Sequence, residues 1–208
     1  MSNSITTQRK TVIGLTGGVG AGKSTVCALL KEHYGALILE ADKICAGLMT
    51  PKGEAFAALV QLLGPQVLTP AGEIDRPKMA GLIFAQPALR LQVNRILHPA
   101  TFQAVQKRIR NSRKKLIVYE SAIPYEARFS ELCDKVLYVY ASAESRKARL
   151  MASRGYSPEK VKAIMASQPE ETLYYELADG VVNNEGDAAS CLINLDRLMS
   201  AWGLEKCP

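Results

Sequence analysis

No apolar run in this chain approaches the about 20 residues that a membrane-crossing helix requires. The opening segment MSNSITTQRK also lacks the apolar stretch of a secretory signal. A spanning or exported protein is therefore disfavoured, and a cytoplasmic location is the expectation. The five cysteines, Cys27, Cys45, Cys133, Cys191 and Cys207, form no C-x-x-C pair. That spacing argues against a zinc site or a disulfide framework and for reduced thiols used in packing. Internal repeats and low-complexity tracts are absent as well, so disorder is not expected.

What is present is a chain of 208 residues, 48% hydrophobic and 22% charged, enough to bury the core of a single globular domain. The 26 Lys and Arg exceed the 20 Asp and Glu, giving a formal charge of +6. This favours anionic ligands but does not separate nucleotide from nucleic acid or lipid headgroup. The basic stretch RIRNSRKK at 108–115 is short and reads as a solvated helix end rather than a polyanion patch.

Residues 11–16 (TVIGLT) form a short β-leaning run that ends in glycines, and 23–34 carry helical spacing through Val26, Leu29 and Leu30. Further short apolar runs at 36–39 (ALIL), 116–119 (LIVY) and 136–140 (VLYVY) resemble buried parallel strands separated by helical stretches. The expectation is an α/β fold of the P-loop NTPase type, three layers α/β/α around a parallel central sheet. The domain divides into a core at about 1–42, 116–141 and 178–208, a helical acceptor-binding insert at about 43–115, and a helical lid at about 142–177. Pro51, Gly53, Gly64, Pro70-Ala71-Gly72 and Pro87 punctuate the insert. Two lid helices are expected at 143–153 and 158–168, the second capped by Ser157 with Pro158 in its first turn.

The sequence Gly17-Gly18-Val19-Gly20-Ala21-Gly22-Lys23-Ser24 matches G-x-x-x-x-G-K-[ST] between a strand and a helix, the setting that a phosphate-binding loop needs. Glycines let the backbone wrap closely around phosphates with N–H groups inward, and the helix start adds its positive dipole end. Lys23 is suited to bridge β- and γ-phosphate oxygens, and the Ser24 hydroxyl to ligate Mg²⁺. Thr25 reads as an α-phosphate contact or a helix-start residue. ATP with Mg²⁺ is the expected donor. The loop alone marks nucleotide binding, leaving switch proteins, ATPases and several kinase types open.

Glu40-Ala41-Asp42 follows the second strand, at the end where α/β folds expose ligand sites. Asp42 can orient an acceptor hydroxyl and take its proton, or cap the helix that follows; both readings stay open. Glu120 ends the third run and suits Mg²⁺ held through water. Arg146, Arg149 and Arg154 lie in or just after the first lid helix, the first two sharing a face. Closing such a helix over ATP would neutralise charge and exclude water; Arg149 and Arg154 are the catalytic candidates.

These segments together resemble the dephospho-coenzyme A kinase family nearly end to end. The likeness begins with IGLTGGVGAGKST at 13–25 and continues with LEADKIC at 39–45, where the family has an I-D-A-D-type segment. The resemblance makes Asp42 the catalytic acid; Glu40 stands where Asp is common. GEIDRPKMAGLIF at 72–84 resembles G-x-L-D-R-x-x-L-x-x-x-I-F, and LHP lies at 97–99, which makes Arg76 and His98 acceptor-side candidates. AIPYE at 122–126 stands for the family's P-L-L-F-E and retains Glu126. The lid pattern R-L-x-x-R fits 149–154 with one extra residue, and Gln168 fits the lid glutamine. ADGVVNNEG at 178–186 makes Asn184 a nucleotide-side candidate. The implied reaction is phosphorylation of the ribose 3′-hydroxyl of dephospho-coenzyme A by ATP. The implied partners are small molecules only, with no nucleic acid or membrane, and a monomer or small homo-oligomer. Competing readings are a nucleoside monophosphate or shikimate-type kinase, or a nucleotide switch, against which the lack of an N-K-x-D-like segment weighs.

Overall fold

A computed structural model describes residues 10–124 and 127–207. Five strands, β1 (Thr11–Thr16), β2 (Leu37–Glu40), β3 (Leu116–Glu120), β4 (Lys135–Tyr140) and β5 (Gly180–Asn183), form one sheet in the order β2-β3-β1-β4-β5. The β1–β3, β1–β4 and β4–β5 pairings are parallel, with Ile13 beside Val118 and Leu15 beside Leu137. Chain crossovers diverge to either side of β1, so its carboxyl end is the switch point at which ligands bind in open parallel sheets.

Helices cover both faces of this sheet. Ile13, Leu15, Val118, Leu137 and Val139 point to one side. There they pack on Val26, Leu30 and Tyr34 of α1 (Lys23–Tyr34) and on Cys191, Leu195 and Met199 of a C-terminal helix at Ala188–Ala201. The alternate positions Tyr119 and Tyr138 are buried on the other face. Tyr119 meets Phe129 with ring centroids 5.2 Å apart, and Tyr138 stacks on Tyr174 at 5.3 Å. Burial on both faces explains why the strands read as unbroken apolar runs rather than alternating ones.

Two aspartates tie the strand starts. The Val12 N–H donates to the Asp134 carboxylate at 2.8 Å, and the Val136 N–H to that of Asp179 at 2.7 Å; each aspartate immediately precedes a strand, β4 or β5. The chain clusters into two units, residues 1–39 with 112–208 and residues 40–111. The second unit holds α2 (Ala41–Leu48), α3 (Phe56–Leu63), a short 3₁₀ turn, α4 (Arg76–Ala85) and α5 (Pro87–Asn111). Asp75 caps α4 by accepting from the Lys78 N–H at 3.0 Å. The first unit adds α6 (Phe129–Leu132), α7 (Ala143–Arg154), α8 (Pro158–Ala166) and α9 (Glu171–Leu177), so the C-terminal helix is α10.

Ser157 caps α8 with Pro158 in its first turn, as the sequence indicates. The helix ends two residues earlier than expected because Pro169 disfavours helical geometry at Gln168. Strand β5 and helix α9 did not stand out in the sequence. Each is short, and Val181 of β5 is exposed, so neither carries a long apolar signature. All five cysteines are free thiols. Among the described residues no helix is long and apolar enough to cross a membrane.

The central position of Leu195, fully buried against the sheet, gives the first prediction. Leu195→Ala should lower unfolding free energy by about 2–5 kcal/mol in urea titration; a loss below about 1 kcal/mol would mean that α10 is not part of the core.

Candidate active site

The loop between β1 and α1 carries the candidate chemistry. Gly22 stands at the N-terminus of α1 with φ +89, a left-handed conformation open mainly to glycine. A Cβ there would also run into the Asn184 carboxamide. The loop closes on itself through Ala21 N–H to Gly18 O at 3.1 Å and Thr25 N–H to Gly22 O at 3.0 Å. The first amides of α1 lack carbonyl partners within the helix by construction, and the helix dipole is positive at this end. The geometry of Gly17 to Thr25 suits the anion-binding role expected from their spacing.

Lys23 folds back over the loop. Its Nζ donates to the Gly17 carbonyl at 2.9 Å and lies 3.7 Å from the Glu120 carboxylate, with both side chains largely sheltered. Glu120 ends β3, the neighbour of β1, and parallel register is what carries its carboxylate to the lysine. Ser24 follows, exposed, in the first turn of α1.

The lid arginines divide sharply. Arg146, only 9% exposed, donates from Nε to the Val19 carbonyl at 3.0 Å and from Nη2 to Gln168 Oε1 at 2.5 Å. The same Gln168 oxygen accepts the Val19 N–H at 3.0 Å. Gly18 leaves room for this guanidinium, since any Cβ there would collide with it. Arg149 reaches the other side of the loop, donating to the Asn184 carbonyl at 2.6 Å and the Ala21 carbonyl at 3.4 Å. Asn184, buried just past β5, donates from Nδ2 to the same Ala21 carbonyl at 2.8 Å. Glu185 accepts the Ser145 hydroxyl at 2.5 Å and the Ser142 N–H, and these bonds, the Ser145 one foremost, hold its carboxyl below the usual range. They pin the start of α7 beside the turn after β5. Arg154, by contrast, is exposed at the last position of α7, its guanidinium carbon 6.0 Å from the Tyr156 ring centre.

In the second unit, Asp42 is exposed in the first turn of α2, behind the buried Ile44 and Leu48 that seat that helix. Glu40 accepts from Lys43 Nζ at 2.7 Å. Burial pushes the Cys45 thiol pKa up, the Thr101 hydroxyl and the Arg76 guanidinium oppose the rise, and Asp42 adds to it. His98 is half-buried on α5, in a helix that runs through Pro99 without a break. Glu126 lies outside the described residues.

The structure accordingly brings Lys23, Ser24, Glu120, Arg149 and Asn184 together with the loop, and places Asp42, Arg76 and His98 on α2, α4 and α5 of the second unit. It leaves Arg154 at the outer end of α7. The sequence points to Arg149 and Arg154 ahead of Arg146, and marks Gln168 only by resemblance to the family's lid glutamine. The signal for Arg146 was available, since it stands four residues before Leu150 and so shares the core-facing side of the helix.

The dephospho-CoA kinase family profile matches residues 11–190. That span includes the loop, the second unit and helices α7 to α9. The chain belongs to the dephospho-CoA kinase family. A dephospho-CoA kinase from Carboxydothermus hydrogenoformans is 32% identical over 92% of this chain and 94% of its own length. A crystal structure from Thermus thermophilus superposes with TM-score 0.82 at 27% identity, covering 93% of this chain and 98% of that one. A shikimate kinase from Acinetobacter baumannii shares the fold alone, with TM-score 0.53 and 17% identity over 94% and 95% of the two chains. Within this family member the two loop-facing arginines should outweigh the third. Arg146→Ala and Arg149→Ala should each reduce kcat/KM for ATP by about 100-fold, the scale of a lost charge-stabilising donor, while Arg154→Ala stays within about threefold. Steady-state kinetics on the three variants side by side decide this, and a dominant Arg154 would reverse the assignment.

Proposed function

We propose that this chain transfers the γ-phosphate of ATP to the ribose 3′-hydroxyl of dephospho-coenzyme A, giving ADP and coenzyme A as the last step of coenzyme A synthesis. The observation that carries the reading is the family match from 11 to 190, which runs through the acceptor-binding insert as well as the nucleotide loop. The shikimate kinase likeness stops at the fold, so it gives no support to that acceptor.

In this reading the loop amides and the start of α1 hold the β-phosphate, and Lys23 turns from the Gly17 carbonyl to the β,γ-oxygens when the nucleotide enters. Arg146 and Arg149, already against the loop, stabilise the charge that spreads over the transferring group. The acceptor oxygen forms its bond to γ-phosphorus as the bond to the β,γ-bridging oxygen breaks, and the proton of the 3′-hydroxyl passes to the Asp42 carboxylate. Arg76 and His98, with Glu126, hold the acceptor. The donors at hand for Mg²⁺ are hard oxygens, the Ser24 hydroxyl and, through water, the Glu120 carboxylate, which fits this cation's preference. Among the described residues no group of three or more His, Cys, Asp or Glu is placed to hold a metal, so phosphates and water would supply most of its coordination. Such an ion supplies charge neutralisation on the β- and γ-oxygens. The working partners are two small molecules, the setting the cytoplasm, and the working form a monomer or small homo-oligomer.

The deciding assay compares acceptors directly. Purified protein with ATP and Mg²⁺ should phosphorylate dephospho-coenzyme A with kcat/KM at least about 100-fold above that for AMP or shikimate. A preference for either of those would overturn the acceptor assignment. For Asp42→Asn, kcat should drop by about 100-fold or more, the range of a positioned general base, with ATP affinity within about twofold. A variant that loses ATP affinity and keeps kcat would remove the base role.

A further inference from the structure

Gln168 closes a ring of hydrogen bonds that neither the P-loop motif nor the transfer step accounts for. The Val19 peptide gives its carbonyl to Arg146 Nε at 3.0 Å and its N–H to Gln168 Oε1 at 3.0 Å, and Arg146 Nη2 donates to that same oxygen at 2.5 Å. One carboxamide oxygen uses both of its lone pairs to set a loop peptide and a lid guanidinium at once. We propose that Gln168 is a positioning residue for the phosphate donor, holding the Val19 peptide and the Arg146 guanidinium in a single arrangement that ATP meets ready-made. The inference rests on the kinase reading above and deepens it on the nucleotide side.

The chemistry of the residue matters more than its size. A carboxylate at this place would pair fully with the Arg146 guanidinium and cancel the field that a phosphate should meet. An apolar side chain would leave the Val19 N–H and one guanidinium N–H without an acceptor in a sheltered site, a costly arrangement. A carboxamide satisfies both donors while carrying no charge, so Arg146 keeps its full positive charge and most of its N–H groups for phosphate oxygens.

The backbone at 168 is held from both sides. Ser167 ends α8 with its N–H bonded to the Ala163 and Ile164 carbonyls, and the Gln168 N–H donates to Met165 O at 3.2 Å. Pro169 disfavours helical geometry at Gln168. Beyond it, Tyr174 of α9 stacks on Tyr138 and donates its hydroxyl to the Ala122 carbonyl at 3.3 Å, so the segment returns to the sheet within six residues of the glutamine.

The test is ATP affinity measured by calorimetry without any acceptor, together with kcat and thermal midpoint, on Gln168→Leu, Gln168→Glu, Arg146→Ala and the Arg146→Ala/Gln168→Leu pair. Gln168→Leu should weaken ATP binding about tenfold, by the order of one lost charged hydrogen bond, and should add less than about twofold in the Arg146→Ala background because its effect passes through that guanidinium. Gln168→Glu retains the acceptor oxygen, so its thermal midpoint should match that of the parent while its ATP affinity falls at least as far as that of Gln168→Leu. Wild-type affinity in either single variant, or losses that multiply in the double variant, would overturn the inference. ATP binding without acceptor is independent of acceptor identity: a parent protein that ignores dephospho-coenzyme A but shows these ATP effects would sink the acceptor assignment and leave Gln168 in place.

Discussion

A loop that turns its N–H groups toward a phosphate turns its carbonyls outward, and buried carbonyls require donors. That requirement organises everything around residues 17–22. The Gly17 carbonyl is taken by Lys23, Gly18 by the Ala21 amide, Val19 by Arg146, Ala21 by Asn184 and Arg149, and Gly22 by the first amides of α1. These donors come from four parts of the first unit: the loop itself, α1, helix α7 and the turn after β5. The loop is thus the point at which those elements are joined.

The identity of the donors has an electrostatic consequence. Arg146 and Arg149 are held by carbonyl and carboxamide oxygens, which are dipoles and not charges. A guanidinium oriented in this way retains its net charge, whereas one paired with a carboxylate presents little field to an incoming anion. The Glu185 carboxylate is taken by Ser142 and Ser145, so it anchors the start of α7, and Glu185 meets Arg149 through its backbone carbonyl at 3.5 Å. Lys23 is the exception, lying 3.7 Å from Glu120, and a long, flexible ammonium is the cation that can most readily leave such a partner when phosphate arrives.

Much of this was legible in the residues alone, and the pattern of success has a physical basis. The P-loop was readable because its glycines, lysine and serine must stand at fixed spacing between a strand and a helix. Four strands were readable because burial on both faces makes them uniformly apolar. Strand β5 and helix α9 were not, being short and partly exposed. Among the arginines, the resemblance to R-L-x-x-R drew attention to Arg149 and Arg154, yet Arg146 is the one buried on the loop. Its burial follows from the helical phase set by Leu150, a constraint of local geometry that motif spacing does not express. Gln168 was marked only by resemblance to the family's lid glutamine, since its contact to Val19 spans 149 positions of sequence and leaves no local pattern.

The second unit shows the same division between what spacing and what packing reveals. Pro99 would ordinarily mark a helix boundary, yet α5 continues from Pro87 to Asn111. Packing overrides the local preference here: Val93, Leu97, Ala104 and Val105 on either side of the proline are buried, and an unbroken helix keeps all four on one face. The continuity also places His98 on the fourth turn of α5, directly after the buried Leu97. Asp42 precedes Cys45 by three residues on α2, and Arg76 opens α4. The acceptor-side candidates therefore sit on three separate helices of one unit, each seated by its own buried apolar residues, so helix packing decides where their side chains stand.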